Sequence, residues 1–234
     1  GSSMSLKIFE DLEQGSPEWL EARRGIITAS VVGQLITPST VKPAANDKSR
    51  ALVMSLAAER ITGIIEPVIP SRDMERGTYE EPIARGLYAE HFAPVKEFGL
   101  MTRVLTRDTW PVKVGYSPDG LVGEDGLIEI KSRRQKKHLQ TILADAVPPE
   151  NMAQLQCGLL VSGREWIDYV SFCGGMPLYV KRVTPDERWQ DAILTAVEAF
   201  EEQVVPIVTD FERLTWGMHP TEPTNFDLME GMSW

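Results

Sequence analysis

Cysteine and histidine are scarce in this chain: Cys157 and Cys173 are its thiols, and His91, His138 and His219 its imidazoles. No CxxC or HxxxH pairing occurs, so a zinc centre lacks its ligands and any bound metal has to be held by oxygen. The two cysteines have no spacing that suggests a disulfide framework and read as free core thiols of a cytoplasmic protein. No apolar run approaches the roughly 18 residues needed to span a bilayer, and the first residues carry no signal-peptide pattern. Positive charge is also short, with 24 Lys and Arg against 34 Asp and Glu for a net charge of −10. That balance first argues against nucleic acid, because phosphate binding calls for a basic footprint. The deficit is local, however. From Asp186 onward eleven acids face only Arg188 and Arg213, so that stretch carries −9 of the total and the rest is near neutral. A basic surface remains available, and Lys131, Arg133, Arg134, Lys136 and Lys137 are its obvious residues, unless the run is a solvated loop.

A chain of 234 residues that is 42% hydrophobic and 25% charged suits one well-buried globular domain. Gly1-Ser2-Ser3 reads as a cloning remnant, leaving 4–234 as the domain. Ser16-Pro17-Glu18 predicts a capped helix to about Arg23, ended by Gly25. Thr28 is placed to cap a second short helix. Further helices are predicted from about Asp47 to Ile61, Gly77 to Phe92, Glu150 to Val161 and Pro185 to Val205. Strand-like runs at Val95–Leu105, Val112–Ser117 and Leu127–Lys131 are expected to form a meander, followed by strands at Trp166–Phe172 and Leu178–Val183. The order predicts an α+β protein with a central mixed sheet flanked by helices.

The chemistry concentrates in Pro118-Asp119-Gly120 and Glu129-Ile130-Lys131. Strand alternation puts Glu129 and Lys131 on one face and Ile128 and Ile130 on the other. A turn can bring Asp119 beside Glu129. Two carboxylates and the Ile130 carbonyl then make an oxygen-rich corner suited to Mg²⁺ and a phosphate, with Lys131 to orient a water or offset developing charge. A Glu-x-Lys strand by itself is more often a solvated face. Glu80, on or beside the buried stripe of its helix, and Gln154, flanked by apolar residues, raise the weight of the site. Glu80 as a capping-box acid and Gln154 as a solvent-facing residue stay open.

Five elements in order carry a resemblance: Trp19-x-x-x-Arg23-x-Gly25-x-x-Thr28-Ala-Ser30, Arg76-Gly77-x-x-Glu80, Tyr116-Ser117-Pro118-Asp119-Gly120, Glu129-Ile130-Lys131 and Met152-Ala153-Gln154-Leu155-Gln156. From about Gly15 to Gly163 the chain is similar to the lambda-type exonucleases of phage recombination, within the PD-(D/E)xK superfamily with its restriction-endonuclease-like core. The resemblance implies a Mg²⁺-dependent 5′→3′ exonuclease on ends of double-stranded DNA, releasing mononucleotides and leaving 3′ overhangs for a single-strand annealing protein. It implies Asp119, Glu129 and the Ile130 carbonyl as metal ligands, with Mn²⁺ able to substitute and two ions at turnover. Lys131 would attend the water, Gln154 and Glu80 would position water or ligands, and Glu80 would reach a second metal through water. Arg23, Ser30 and Thr28 would hold the 5′ phosphate. Arg133 and Arg134, where the family often has Cys-Pro, would contact DNA, and Met74 would be either a strand-separating wedge or an ordinary loop methionine. A ring-shaped homotrimer around duplex DNA, in a bacterial host or from a prophage, completes what the resemblance implies. An endonuclease on the same fold and a catalytically idle DNA-end-binding protein are the two other readings.

Overall fold

The computed structural model describes residues 6–224; Gly1-Ser2-Ser3 and the last acids, Asp227 and Glu230, lie outside the described residues. In chain order the elements are β1 (Leu6–Phe9), α1 (Pro17–Arg23), β2 (Ile27–Thr28), a 3-10 helix (Val32–Leu35), β3 (Ile36–Thr37), β4 (Lys42–Pro43), α2 (Asp47–Thr62) and α3 (Arg72–His91). They continue with β5 (Leu100–Thr106), β6 (Pro111–Tyr116), β7 (Gly120–Val122), β8 (Gly126–Ser132), α4 (Gln135–Ala144), α5 (Pro149–Ser162), β9 (Trp166–Phe172), β10 (Tyr179–Val183) and α6 (Glu187–Leu214).

The α+β class holds, with mixed sheets and helices packed on them, but the strands do not form the expected meander. Hydrogen bonds divide them into two four-stranded sheets, β1-β5-β6-β2 and β10-β9-β8-β7, beside a β3-β4 pair. β6 therefore belongs to one sheet and β8 to the other. β8 runs parallel to β9 with Glu129 opposite Tyr169, and antiparallel to β7 with Ile128 opposite Gly120. A meander needs neighbours joined by hairpins. Here the link Ser117-Pro118-Asp119 carries the chain from one sheet into the other, and that crossing point becomes the site.

Alternation along β8 separates two cores. Leu127 joins the large core, with Leu155, Leu159, Tyr169 and Ile193 from α5, β9 and α6. Ile128 and Ile130 turn the other way, against Ala84 and Tyr88 of α3. Burying each such isoleucine contributes about 1.5–3 kcal/mol, so the register of β8 is strongly specified and with it the face that Glu129 presents.

Several local differences have simple causes. α3 begins at Arg72 rather than near Gly77, because Ser71 caps it by accepting from the Met74 amide at 3.1 Å. The basic run after Lys131 is not all loop: Gln135 to Ala144 is helical, with His138 fully buried between Ser171 and the Pro177 carbonyl. Thr28 lies in a short strand parallel to β6 instead of capping a helix. The glycine after α1 is required: Gly25 has φ +70, and a Cβ there would stand 2.7 Å from Arg60 Cγ. Arg60 fastens this turn by donating to the Gly25 carbonyl at 2.8 Å while pairing in a bidentate way with Glu201 of α6.

Candidate active site

β8 supplies the centre of the site. Glu129 is 3% exposed, yet its Oε2 has no hydrogen-bond partner. Its Oε1 is held at 2.9 Å by the Gln154 amide from α5 and at 3.3 Å by Lys131 Nζ. Asp119 arrives from the sheet crossing, and its Oδ2 accepts from the Ile130 amide at 2.8 Å. That bond locks Asp119 to the same strand as Glu129. The Asp119 carbonyl accepts from Arg85 Nε of α3 at 2.9 Å, so the turn is gripped from both sides.

α3 brings two neighbouring acids to this region, and they take different partners. Glu80 accepts a 2.6 Å bond from Ser132 Oγ and lies 3.4 Å from Arg76 Nε, which itself donates to Ser132. It latches the start of α3 to the end of β8. Glu81 stands within hydrogen-bonding reach of Asp119 and pairs with Arg85 at 2.7 Å. One residue turns a side chain by about 100° around a helix, so neighbouring glutamates serve different partners. Counting from Gly77 selects Glu80, whereas the side chain beside Asp119 is that of Glu81. The signal that could have found Glu81 is its i, i+4 spacing to Arg85. Glu80 also lies nine residues beyond its helix cap, Ser71, which removes the capping-box alternative.

Three acids thus crowd one end of the site. Burial, followed by the Glu129 charge, pushes Asp119 up to about 7. Burial, followed by Asp119, pushes Glu81 up to about 7 as well. Burial also raises Glu129, although Lys131 opposes the shift. Near neutral pH the acids hold protons that carboxylates in water would have lost.

The donor chemistry fits a hard divalent cation. Two carboxylates are fixed side by side, one carboxylate oxygen is buried and unpartnered, and their mutual repulsion is only partly offset by Lys131. Among the described residues no three His, Cys, Asp or Glu side chains close a coordination shell by themselves. Mg²⁺ takes such open sites and keeps water and phosphate oxygens as its remaining ligands.

The opposite end of the same cleft is cationic. A cavity of about 320 Å³ is lined by Arg23, Thr28 and Ser30 as well as by Asp119, Glu129 and Gln154. Arg23 stacks on Trp19, its guanidinium carbon 3.8 Å from the ring centroid, and donates weakly to Thr28 Oγ1 at 3.4 Å. Thr28 and Ser30 hydroxyls are 2.9 Å apart. Arg23 Nε is buried without a partner, and burial lowers the Arg23 pKa, partly offset by Glu59. A guanidinium with a free N–H on a hydroxyl-lined wall suits a phosphate. Trp19 is half-buried, and its Nε1 donates to Ser117 Oγ at 2.9 Å, which ties this wall to the Asp119 turn.

The remaining expected residues lie outside the cleft. Arg134 is exposed and pairs with Asp73 at 2.9 Å, and Arg133 donates to Asn151 at 3.1 Å. Lys137 pairs with Glu150. Met74 is 49% exposed in the first turn of α3, close in sequence to the Asp73 that holds both Arg76 and Arg134. It packs into neither core.

No curated protein matches the sequence. Residues 18–165 match the YqaJ-like viral recombinase domain. The chain is similar to the alkaline exonuclease LHK-Exo of Laribacter hongkongensis, at 32% identity over 87% of this chain and all of the relative, with a TM-score of 0.73. The same relative in complex with dAMP superposes with a TM-score of 0.74. A phage-related exonuclease from Haemophilus somnus 129PT shares the fold at 12% identity, with a TM-score of 0.55 over 80% of this chain and 96% of its own. With the family's domain spanning both the arginine wall and the carboxylate corner, this chain belongs to the YqaJ-like viral recombinase family.

Proposed function

We propose that this protein is a Mg²⁺-dependent exonuclease of phage-type recombination. It degrades one strand of linear double-stranded DNA in the 5′→3′ direction, releases mononucleotides and leaves 3′ overhangs for a single-strand annealing protein. The observation that carries this reading is the shared cleft, in which a phosphate-binding wall and a carboxylate corner face one small volume. A site of about 320 Å³ accommodates roughly one nucleotide, which suits removal of units from an end. The similarity to an exonuclease crystallised with dAMP supports the same product size.

In this reading Arg23, with Thr28 and Ser30, holds the terminal 5′ phosphate and sets polarity. Asp119, Glu129 and the Ile130 carbonyl hold the cation, with Mn²⁺ an alternative and a second ion at turnover. When bound, the cation offsets charge on the scissile phosphate and makes an attacking water more acidic. Lys131, beside Glu129, stabilises negative charge as it develops, and Gln154 fixes the Glu129 carboxylate. Glu81 takes the supporting role expected of Glu80. Residues 4–234 act as one catalytic domain. Arg133 and Arg134 contact DNA beyond the cleft after exchanging their present partners, and Met74 meets the terminal base pair from the tip of α3. A homotrimeric ring reconciles the acidic surface with DNA binding, by turning Lys and Arg toward the hole.

The test is digestion of linear and covalently closed circular DNA in Mg²⁺, alongside the mass of the protein in solution. A trimer that degrades only the linear form is expected. Cleavage of the circle overturns the exonuclease reading in favour of an endonuclease. Failure to degrade either form, together with no Mg²⁺ or Mn²⁺ binding, favours an idle end-binding protein.

A further inference from the structure

Three buried polar atoms of residues lining the cleft have no hydrogen-bond partner: Arg23 Nε, which faces the phosphate wall, and two of opposite kinds at the carboxylate end. Glu129 Oε2 is a buried acceptor without a donor. Tyr116 Oη is a buried hydroxyl without a partner, and its residue, the last of β6 and 1% exposed, lines the same cavity as Glu129. Buried hydroxyls and carboxylates are nearly always hydrogen-bonded, because an unmet polar group forfeits its hydration without return. Both atoms being open in one cleft is therefore a specific signal.

The Tyr116 ring cannot swing away to find solvent. Gly158 of α5 packs against it so closely that a Cβ there would stand 2.8 Å from the ring. The strand backbone is fixed as well, paired with Met101 of β5. The hydroxyl is thus held by packing on a rigid element of the cleft lining, where Glu129 and Asp119 are the leading charges acting on it, ahead of Cys157 and Arg164. Neither orphan atom is open to bulk water. A single enclosed oxygen atom that accepts from one and donates to the other meets both needs.

We infer that Tyr116 is a positioning residue: its hydroxyl donates to one ordered water, which in turn donates to Glu129 Oε2. With Oε1 held by Gln154 and Lys131, this water fixes the second oxygen, so the carboxylate plane is set before the cation arrives. The role rests on the nuclease reading only for its consequence in catalysis; the water itself is a property of the folded chain.

The test is a high-resolution crystal structure of the protein and of Tyr116→Phe, joined to Mn²⁺ titration calorimetry and digestion of 5′-phosphorylated duplex. Removing one oxygen from an otherwise intact ring leaves the packing on Gly158 in place. The expected wild-type structure shows a water within hydrogen-bonding distance of Tyr116 Oη and Glu129 Oε2, and that water is missing from Tyr116→Phe. The variant is expected to bind Mn²⁺ and turn over about 10- to 100-fold less well, with KM for DNA ends unchanged and thermal stability no lower. Absence of the shared water overturns the inference, as does a variant whose kcat and Mn²⁺ affinity both stay within twofold of wild type. Should the wild type release no nucleotide, the nuclease reading falls, while the shared water and a weakened Mn²⁺ affinity still uphold the role of Tyr116.

Discussion

Glu129 and Asp168 sit on adjacent strands and are almost equally hidden, at 3% and 2% exposure, yet they are built for different ends. Asp168, on β9 opposite Ile128, faces α3. It accepts from the Tyr88 hydroxyl at 2.6 Å and from Arg182 at 2.9 and 3.2 Å, and Arg182 lies flat on Trp166, 3.6 Å from the ring centroid. Both of its oxygens are engaged by the protein. Glu129 faces the other way, with one oxygen engaged and one left open beside a second carboxylate. Burying an acid is costly, and the protein repays that cost within itself for Asp168. For Glu129 it leaves the completion to something bound. The pair separates an acid whose oxygens are both met within the fold from one that keeps an oxygen free of protein partners, which burial alone does not do.

The largest effect expected from breaking this contrast is on catalysis. Glu129→Gln should lower nucleotide release on the order of 1000-fold, about 4 kcal/mol of transition-state stabilisation, while the metal-free protein melts no earlier than wild type. Digestion rates and thermal melts of the same preparation check both halves. Arg23→Gln comes next. It should slow digestion of 5′-phosphorylated ends by roughly 10- to 100-fold, the worth of one charged hydrogen bond, and affect 5′-hydroxyl ends less. Rates on the two kinds of end measure that difference.

Asp168→Asn should do the reverse of Glu129→Gln. It should cost about 1–3 kcal/mol of stability in denaturant titration, because Tyr88 and Arg182 lose a charged acceptor, and leave the rate per folded molecule within a few-fold. The smallest effect concerns pH. Asp119 and Glu81 are both raised to about 7, so without cation the folded state carries protons that the unfolded chain has already released above about pH 4–5. Their contribution to stability is therefore greatest in acid and is lost as pH rises through about 7. A divalent cation competes for the same oxygens. Saturating Mg²⁺ should raise the Tm by a few degrees more at pH 8 than at pH 6, as thermal scans at the two values would show.

Much of the site could be read from the sequence where a rigid period governs. Strand alternation fixes Glu129 and Lys131 on one face of β8, and it places Ile128 and Ile130 in the core under α3. Pro118-Asp119-Gly120 was recognisable as a turn, although not as a crossing between sheets, because pairing partners are chosen by packing at long range. β8 takes β9 as its parallel neighbour, with paired residues 40 positions apart, and no local pattern encodes that choice. Which of Glu80 and Glu81 lies beside Asp119 is not legible in the sequence for a different reason. A helix has to be phased from its cap, and Ser71 lay in a loop whose proline hid the start. α4 is not legible because its basic face resembles a solvated run, while the residues it buries, His138 and Thr141, are polar. Tyr116 went unused because nothing in a strand-ending tyrosine shows that its hydroxyl lacks a partner.

The most direct measurement is a linear duplex with a radioactive phosphate at one 5′ end, followed in Mg²⁺ by the size of the first labelled product. The arginine wall and the open carboxylate predict a labelled mononucleotide from the earliest time point. Labelled oligonucleotides appearing first, or loss of nucleotides from the 3′ end ahead of the 5′ label, would contradict the assignment of that cleft.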